Sequence, residues 1–264
     1  MSYRSLDYQV KDRVATVTFT RPDTLNSLTF EVYCELERLA WDLEADEAVR
    51  VLVITGTGRG FCSGGDVHEI IGELFKRDVK GMLAFTRMTG AVVRNLRVLE
   101  KPVIAAINGI CAGAGAVLAL AADFRIFSDR ARFALLFTKV GLTGADMGAA
   151  YLLPRIVGFG KATELLMLGD TIDAATAERY GLAYKVVPHD SLMDEAYALA
   201  RHLADGPAQA LGMTKRMLNN EWGMDLLAAI EAEAQAQALL LMGEDHKEFY
   251  RAFTEKRSPR FTGR

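Results

Sequence analysis

The sequence is poor in the side chains from which metal centres and disulfide frameworks are built. Its 264 residues hold three cysteines, Cys34, Cys62 and Cys111, and four histidines, His68, His189, His202 and His246. No Cys-x-x-Cys or His-Glu-x-x-His spacing occurs, so neither a metal site nor a cysteine-histidine nucleophile is expected. An odd number of cysteines leaves one unpaired whatever the others do, which suits a reducing compartment. The N-terminus carries Asp7, Asp12 and Asp23 and no apolar signal core, so the expected location is cytoplasmic.

A dominant charge is also missing. The formal net charge is -3, which gives no electrostatic reason to expect nucleic acid as a partner. Long apolar runs are limited to one, the 20 uncharged residues from Val103 to Ala122, which by length could span a membrane. Asn108 and three glycines interrupt that run, and Pro102 and Asp123 bracket it. Its β-branched first part and alanine-leucine second part read as strand, turn and buried helix, and no membrane association is expected. A dinucleotide fingerprint fails as well, because Gly56-Thr57-Gly58-Arg59-Gly60 is followed by Phe61 where a third glycine should stand. No internal repeat or low-complexity segment interrupts the chain.

What is present is an ordinary globular composition, 50% hydrophobic and 25% charged, enough to build a packed core. Val14 to Phe19 alternates and stops at Arg21-Pro22-Asp23, which predicts a half-exposed first strand. Val32, Leu36, Leu39 and Leu43 recur at helical spacing and predict a helix from about Phe30 to Leu43. Val51 to Ile54, Val103 to Ile107 and Phe124 to Phe127 predict buried strands separated by helical stretches, an α/β alternation. Residues 67–100 are polar and helix-leaning and are expected to form a mobile cover. Beyond about residue 190 helices dominate, expected over 192–203, 208–219, 226–244 and 245–256. Their apolar residues exceed one narrow face, which points to burial against another chain. The expected division is a core over 1–190 and a helical oligomerisation region over 191–264.

Two turns carry chemistry. Phe61-Cys62-Ser63-Gly64-Gly65-Asp66 and Gly109-Ile110-Cys111-Ala112-Gly113-Ala114-Gly115 each follow an apolar strand and open a helix. The first amides of a helix have no intrahelical partner, and glycine lets a ligand approach the main chain. Two such turns can therefore hold one developing oxyanion.

These segments, with Arg21-Pro22, Asn26-Ser27-Leu28, Lys101 to Gly109, Gly113 to Asp123, Leu153 to Gly158 and Ala177 to Leu182, resemble the crotonase superfamily, the enoyl-CoA hydratase/isomerase family. The resemblance implies a spiral of ββα units followed by a helical trimerisation region, with trimers often stacked into hexamers. It implies an acyl-CoA thioester as substrate and no cofactor beyond the coenzyme A that the substrate carries. Gly65 and Ala114 match the family's oxyanion donors. Arg21, Ser27 and Leu28 resemble family positions that cradle the adenine and phosphates of CoA, as do Phe253 and Lys256, the last two often from a neighbouring subunit; Ser63, Gly64, Asp66, Val67 and His68, in the first turn and just beyond it, are candidates for substrate or CoA contact by location.

The acid-base equipment departs from the hydratase pattern. Two water-splitting glutamates fall at Val117 and Phe137, both apolar here, and each missing group is worth about 10²- to 10⁴-fold in rate. Asp146, in Gly144-Ala145-Asp146-Met147-Gly148, resembles in its offset before Arg155 the working aspartate of dienoyl-CoA isomerases, ring-opening epoxyphenylacetyl-CoA isomerases and aryl-CoA dehalogenases. The subgroup most similar in look is that of the epoxyphenylacetyl-CoA isomerases. Proton transfer by Asp146 is the expected chemistry. Hydration or hydrolysis by one carboxylate, a non-catalytic acyl-CoA scaffold, and Asp146 as a plain helix cap stay open at this point.

Overall fold

The structure, a computed structural model, describes residues 3–264. Strands β1 (Leu6–Lys11) and β2 (Val14–Phe19) form an antiparallel hairpin, and α1 (Phe30–Ala45) follows. Three coils come next. The first contains β3 (Val51–Gly56), β4 (Gly60–Cys62) and α2 (Val79–Val98). The second contains β5 (Val103–Ile107), β6 (Ile110–Ala112) and α3 (Ala114–Ala121). The third contains β7 (Phe124–Ser128), β8 (Arg132–Ala134), α4 (Ala149–Val157) and α5 (Phe159–Leu168). After them come β9 (Ile172–Asp173), α6 (Ala174–Arg179) and β10 (Lys185–Val187). The chain closes with α7 (Leu192–Ala204), α8 (Ala208–Asn220), α9 (Leu226–Leu241) and α10 (Glu244–Thr254).

Each coil places one strand in each of two sheets. The larger has the order β1-β2-β3-β5-β7-β10 and is parallel apart from the β1–β2 pair. The smaller has the order β4-β6-β8-β9, with only β8–β9 antiparallel. This is the expected α/β spiral of ββα units. The uncharged run from Val103 to Ala122 is β5, β6 and α3, and among the described residues no single helix is long and apolar enough to cross a membrane.

The larger sheet is covered on both faces. Val32, Leu36, Leu39 and Leu43 of α1 and Val92 and Leu96 of α2 belong to the core on one side, behind Thr29, whose hydroxyl caps α1 through the Val32 amide. On the other side Ala196, Ala200 and Ala204 of α7 pack on Val14, Val51, Val53, Ile104 and Ile126. The expectation of a half-exposed first strand holds in part: Thr16 and Thr18 of β2 are partly exposed, but β1 precedes that strand and a second cover reaches it. Val14 lies beneath α7, and the hydroxyl of Thr16 is 3.1 Å from that of Tyr197 on the same helix. Alternation had suggested a wet face, but the polar residue on it has a partner inside the protein.

The expected cover over 67–100 is a π-helical turn, Val67–Gly72, followed by α2. The C-terminal half of α2 is anchored through Val92, Val93 and Leu96, while Val79 and Leu83 near its start stand exposed. The apolar surplus of the C-terminal region lies on α9 and α10, where Leu226, Leu227, Ile230, Leu239, Phe249 and Phe253 are exposed.

Candidate active site

The first glycine turn is held by its neighbours through groups that flank Gly65. Leu28 N–H donates to the Gly64 carbonyl (2.8 Å), and Asp66 N–H donates to the Leu28 carbonyl (2.9 Å), a parallel bridge between Leu28 and Gly65. In such a bridge the amide of the central residue points away from its partner strand. The Gly65 N–H therefore faces away from Leu28, and it has no acceptor among the described residues.

Asp66 locks the turn. Its carboxylate accepts the His68 and Glu69 amides (3.0 Å each), the Ser27 hydroxyl (2.8 Å) and Arg21 Nη2 (3.2 Å). The Glu69 amide, more than the other partners, holds its pKa below the ordinary carboxylate value against the opposing effect of burial. Arg21 also donates to the Ser27 carbonyl (3.0 Å) and to Glu69 (2.9 Å). Arg21, Ser27 and Asp66 thus brace one another, while Ser63 donates its hydroxyl to the Thr24 carbonyl (3.1 Å) and Val67 and His68 are exposed at the start of the π-helical turn.

In the second turn, Gly113 (φ 51°) stands before α3 and Ala114 is its first residue. The Ala114 N–H is one of the amides that a helix start leaves free. Two glycines let the turns touch. Gly64 has φ +105°, and a Cβ there would lie 3.3 Å from the Ala114 nitrogen; a Cβ on Gly115 would lie 2.3 Å from the Cys62 carbonyl oxygen. Side chains at either position would push the two amide-bearing segments apart. Cys62 and Cys111, adjacent in the β4–β6 register, are buried, and burial pushes the Cys62 thiol up to about 12, so it is no nucleophile at neutral pH.

Asp146 comes from the third coil, on the loop that leads into α4. Its carboxylate accepts the Met147 amide (2.9 Å) and its carbonyl accepts the Ala149 amide (2.8 Å). The N-cap of α4 is Gly148, which uses no side-chain bond, so the carboxylate does not cap that helix. Met147 is held at φ 50°, a strained conformation for a non-glycine residue. Burial raises the Asp146 pKa above the ordinary value, opposed by the single Met147 bond. Val117 and Phe137, the aligned glutamate positions, are buried in the apolar core.

One neighbour escaped the sequence reading. Tyr33 of α1 is 2% exposed, and its hydroxyl would lie 3.9 Å from a Cβ built on Gly65. Burial, more than any neighbouring charge, pushes that hydroxyl's pKa up. A tyrosine beside an apolar helical stripe carries no motif that would have singled it out. Phe253 and Lys256 lie elsewhere, exposed at the end of α10, with Phe253 against Phe249 at a centroid distance of 6.2 Å. Among the described residues no group of three or more His, Cys, Asp or Glu side chains is arranged to hold a metal ion.

Comparison with known proteins agrees with this architecture. The sequence profile of the family described as enoyl-CoA hydratase/isomerase matches residues 9–264. The 1,2-epoxyphenylacetyl-CoA isomerase of Escherichia coli (strain K12) is 38% identical over 97% of this chain and 97% of its own length. A trans-2-decenoyl-[acyl-carrier-protein] isomerase of Streptococcus mutans is 33% identical over the full length of both. Among solved structures, one described as an enoyl-CoA hydratase from Streptomyces coelicolor A3(2) superposes with a TM-score of 0.98 at 57% identity, over 100% of this chain and 96% of that one. With its two-sheet spiral, its paired glycine turns and these relatives, the chain belongs to the enoyl-CoA hydratase/isomerase family.

Proposed function

We propose that the protein isomerises an enoyl-CoA thioester by moving a proton, with Gly65 and Ala114 as oxyanion donors and Asp146 as the base. The thioester oxygen accepts the two amides, which stabilises the enolate formed when Asp146 removes a proton from the α or γ carbon. Asp146 then returns the proton to another carbon, so a double bond shifts or a ring is rearranged with no change in mass. No external redox partner is needed for this balance. The observation that carries the reading is Asp146 itself: a half-buried carboxylate with one hydrogen bond and a raised pKa, while both aligned glutamate positions are apolar.

Arg21, Ser27, Leu28, Ser63, Gly64, Asp66, Val67 and His68 surround the first turn and form the rim on which CoA would lie, with Phe253 and Lys256 contributed by a neighbouring copy. A homotrimer or a dimer of trimers working in the cytoplasm completes the reading.

The test is Asp146→Asn, which keeps size and removes the base. It is expected to leave CoA-thioester affinity nearly intact and to lower turnover about 10²-fold or more, together with solvent deuterium entry at the α or γ carbon. Unchanged turnover and exchange would overturn the assignment. Product mass separates the chemistries, because a gain of one water would mean hydration.

A further inference from the structure

Four guanidiniums, those of Arg94, Arg97, Arg125 and Arg155, line one cavity of about 600 Å³ between α2, the end of α3, α4 and the end of α8. The one carboxylate on its wall is Asp123, and that carboxylate is already committed. It pairs with Arg97 (3.2 Å) and with the buried Lys215 (2.8 Å), and it accepts the Val103 amide (2.8 Å). Arg97 is committed as well, since its other nitrogens donate to the Asn219 side chain.

The other three arginines have no carboxylate partner among the described residues. Arg94 donates to the Asn95 side-chain oxygen (3.1 and 3.2 Å), and Arg125 donates to the carbonyls of Leu182 (2.8 Å) and Ala122 (2.6 Å). Arg155 donates to the Tyr151 carbonyl (2.7 Å), and its guanidinium stands 3.5 Å from the Tyr151 ring centroid and 4.8 Å from that of Trp222. Neutral acceptors and aromatic faces hold these groups in place without cancelling their charge. Burial lowers the Arg125 pKa to about 10, with Arg97 adding to the effect and Asp123 opposing it. An anion in this cavity gains charge-assisted hydrogen bonds that the protein itself does not supply.

The rest of the wall is largely apolar, with Val93, Leu120, Met147 and Leu152, and it offers no Ser, Thr or His. A bare inorganic anion would leave those side chains against water, and a neutral apolar molecule would leave the guanidiniums unpaired. One anionic head on an apolar body satisfies both, in a space of the size that holds small organic ligands. We propose that this cavity is a binding site for a free organic carboxylate, whose head group pairs with Arg94, Arg125 and Arg155. The site stands apart from the proposed reaction. Gly65, Ala114 and Asp146 do not line it, although Met147 and Gly148, the two residues after Asp146, do. The inference therefore does not rest on the acyl-CoA reading.

The test is calorimetric titration of the whole protein with octanoate, set against octanamide, which lacks the charge, and inorganic phosphate, which lacks the apolar body. The wild-type protein is expected to bind octanoate about 10-fold or more tightly than either. Arg94→Gln with Arg155→Gln, both at exposed positions, should weaken octanoate about 10-fold and leave octanamide as it was. Saturating butyryl-CoA should not change the octanoate affinity. Equal binding of octanoate and octanamide would mean apolar contact alone, and equal binding of phosphate would mean an adventitious ion only. Competition by butyryl-CoA would put octanoate in the thioester site, and no octanoate binding would mean that a neighbouring copy fills the cavity in the assembled protein. Each of these results overturns the proposal. If the double variant does not fold, Arg94→Gln alone should still weaken octanoate about threefold, and an unchanged affinity is then the contrary result. Octanoate binding by a protein that does not bind butyryl-CoA would refute the acyl-CoA reading and leave this site standing.

Discussion

Asp146 sits in a place that disfavours its own charge. Because burial raises its folded pKa above the unfolded value of about 3.9, the ionised form is destabilised by folding. Below the unfolded pKa both states are protonated and no penalty exists; as pH rises through the folded pKa the penalty becomes complete. Asp146→Asn is therefore expected to raise the melting temperature at pH 7 and to leave it unchanged near pH 3, a difference that thermal unfolding at the two pH values would measure. Activity should have the complementary dependence, with an acid limb in kcat displaced above the ordinary carboxylate range as Asp146 takes up its proton. A variant both inactive and more stable is the pattern of a group retained for chemistry at the expense of folding. The sequence made Asp146 a candidate because it is a lone carboxylate in a glycine-rich turn, and the structure shows that carboxylate half-buried with one hydrogen bond. Tyr33 was not a candidate, because only the fold brings its hydroxyl beside Gly65.

Among the elements, the contact between β4 and the start of α3 governs the geometry of the two turns. Gly115→Ala would place a Cβ 2.3 Å from the Cys62 carbonyl oxygen, and because the obstacle is backbone it can be relieved only by moving α3. We expect a loss of about 1–3 kcal/mol in urea unfolding, typical of overpacking, and weaker thioester binding, because Ala114 moves with the helix. Unchanged stability and affinity would show that α3 can shift freely. The elements that sequence reading caught are long or uniformly apolar, as α1, β3 and β5 are. Those it missed have physical reasons. The strands β4, β6 and β8 have three residues each, too few for any period to show. The β1–β2 hairpin turns at Asp12 and Arg13, both at positive φ, without the Asn-Gly signal that usually announces such a turn.

The assembled chain divides its last quarter between two tasks. Helix α7 belongs to the core, but α9 buries only Ala236 while Leu226, Leu227 and Leu239 are exposed. So much apolar surface on one helix is costly in water, and a second copy of the chain is the expected cover. Light scattering at micromolar concentration should report a trimer or hexamer, and Leu227→Glu with Leu239→Glu should shift it to monomer without unfolding the core. A stable wild-type monomer would refute this and remove the route by which Lys256 could reach a neighbour's CoA. The surplus was visible in the sequence as alanine and leucine in excess of one helical face; which helix kept it was not, because α7 and α9 look alike until the sheet chooses one of them.

Each turn of the spiral sets down one piece of the proposed site: the first coil Gly65, the second Ala114, the third Asp146. The first two present main-chain amides on turns that follow the paired strands β4 and β6, where Cys62 stands opposite Cys111. The third presents a side chain on a loop that pairs with neither sheet. In the proposed reaction the grip on the thioester and the tool that works on it thereby belong to different elements of the fold. A change confined to the loop between β8 and α4 would then replace the proposed tool and leave the proposed handle in place.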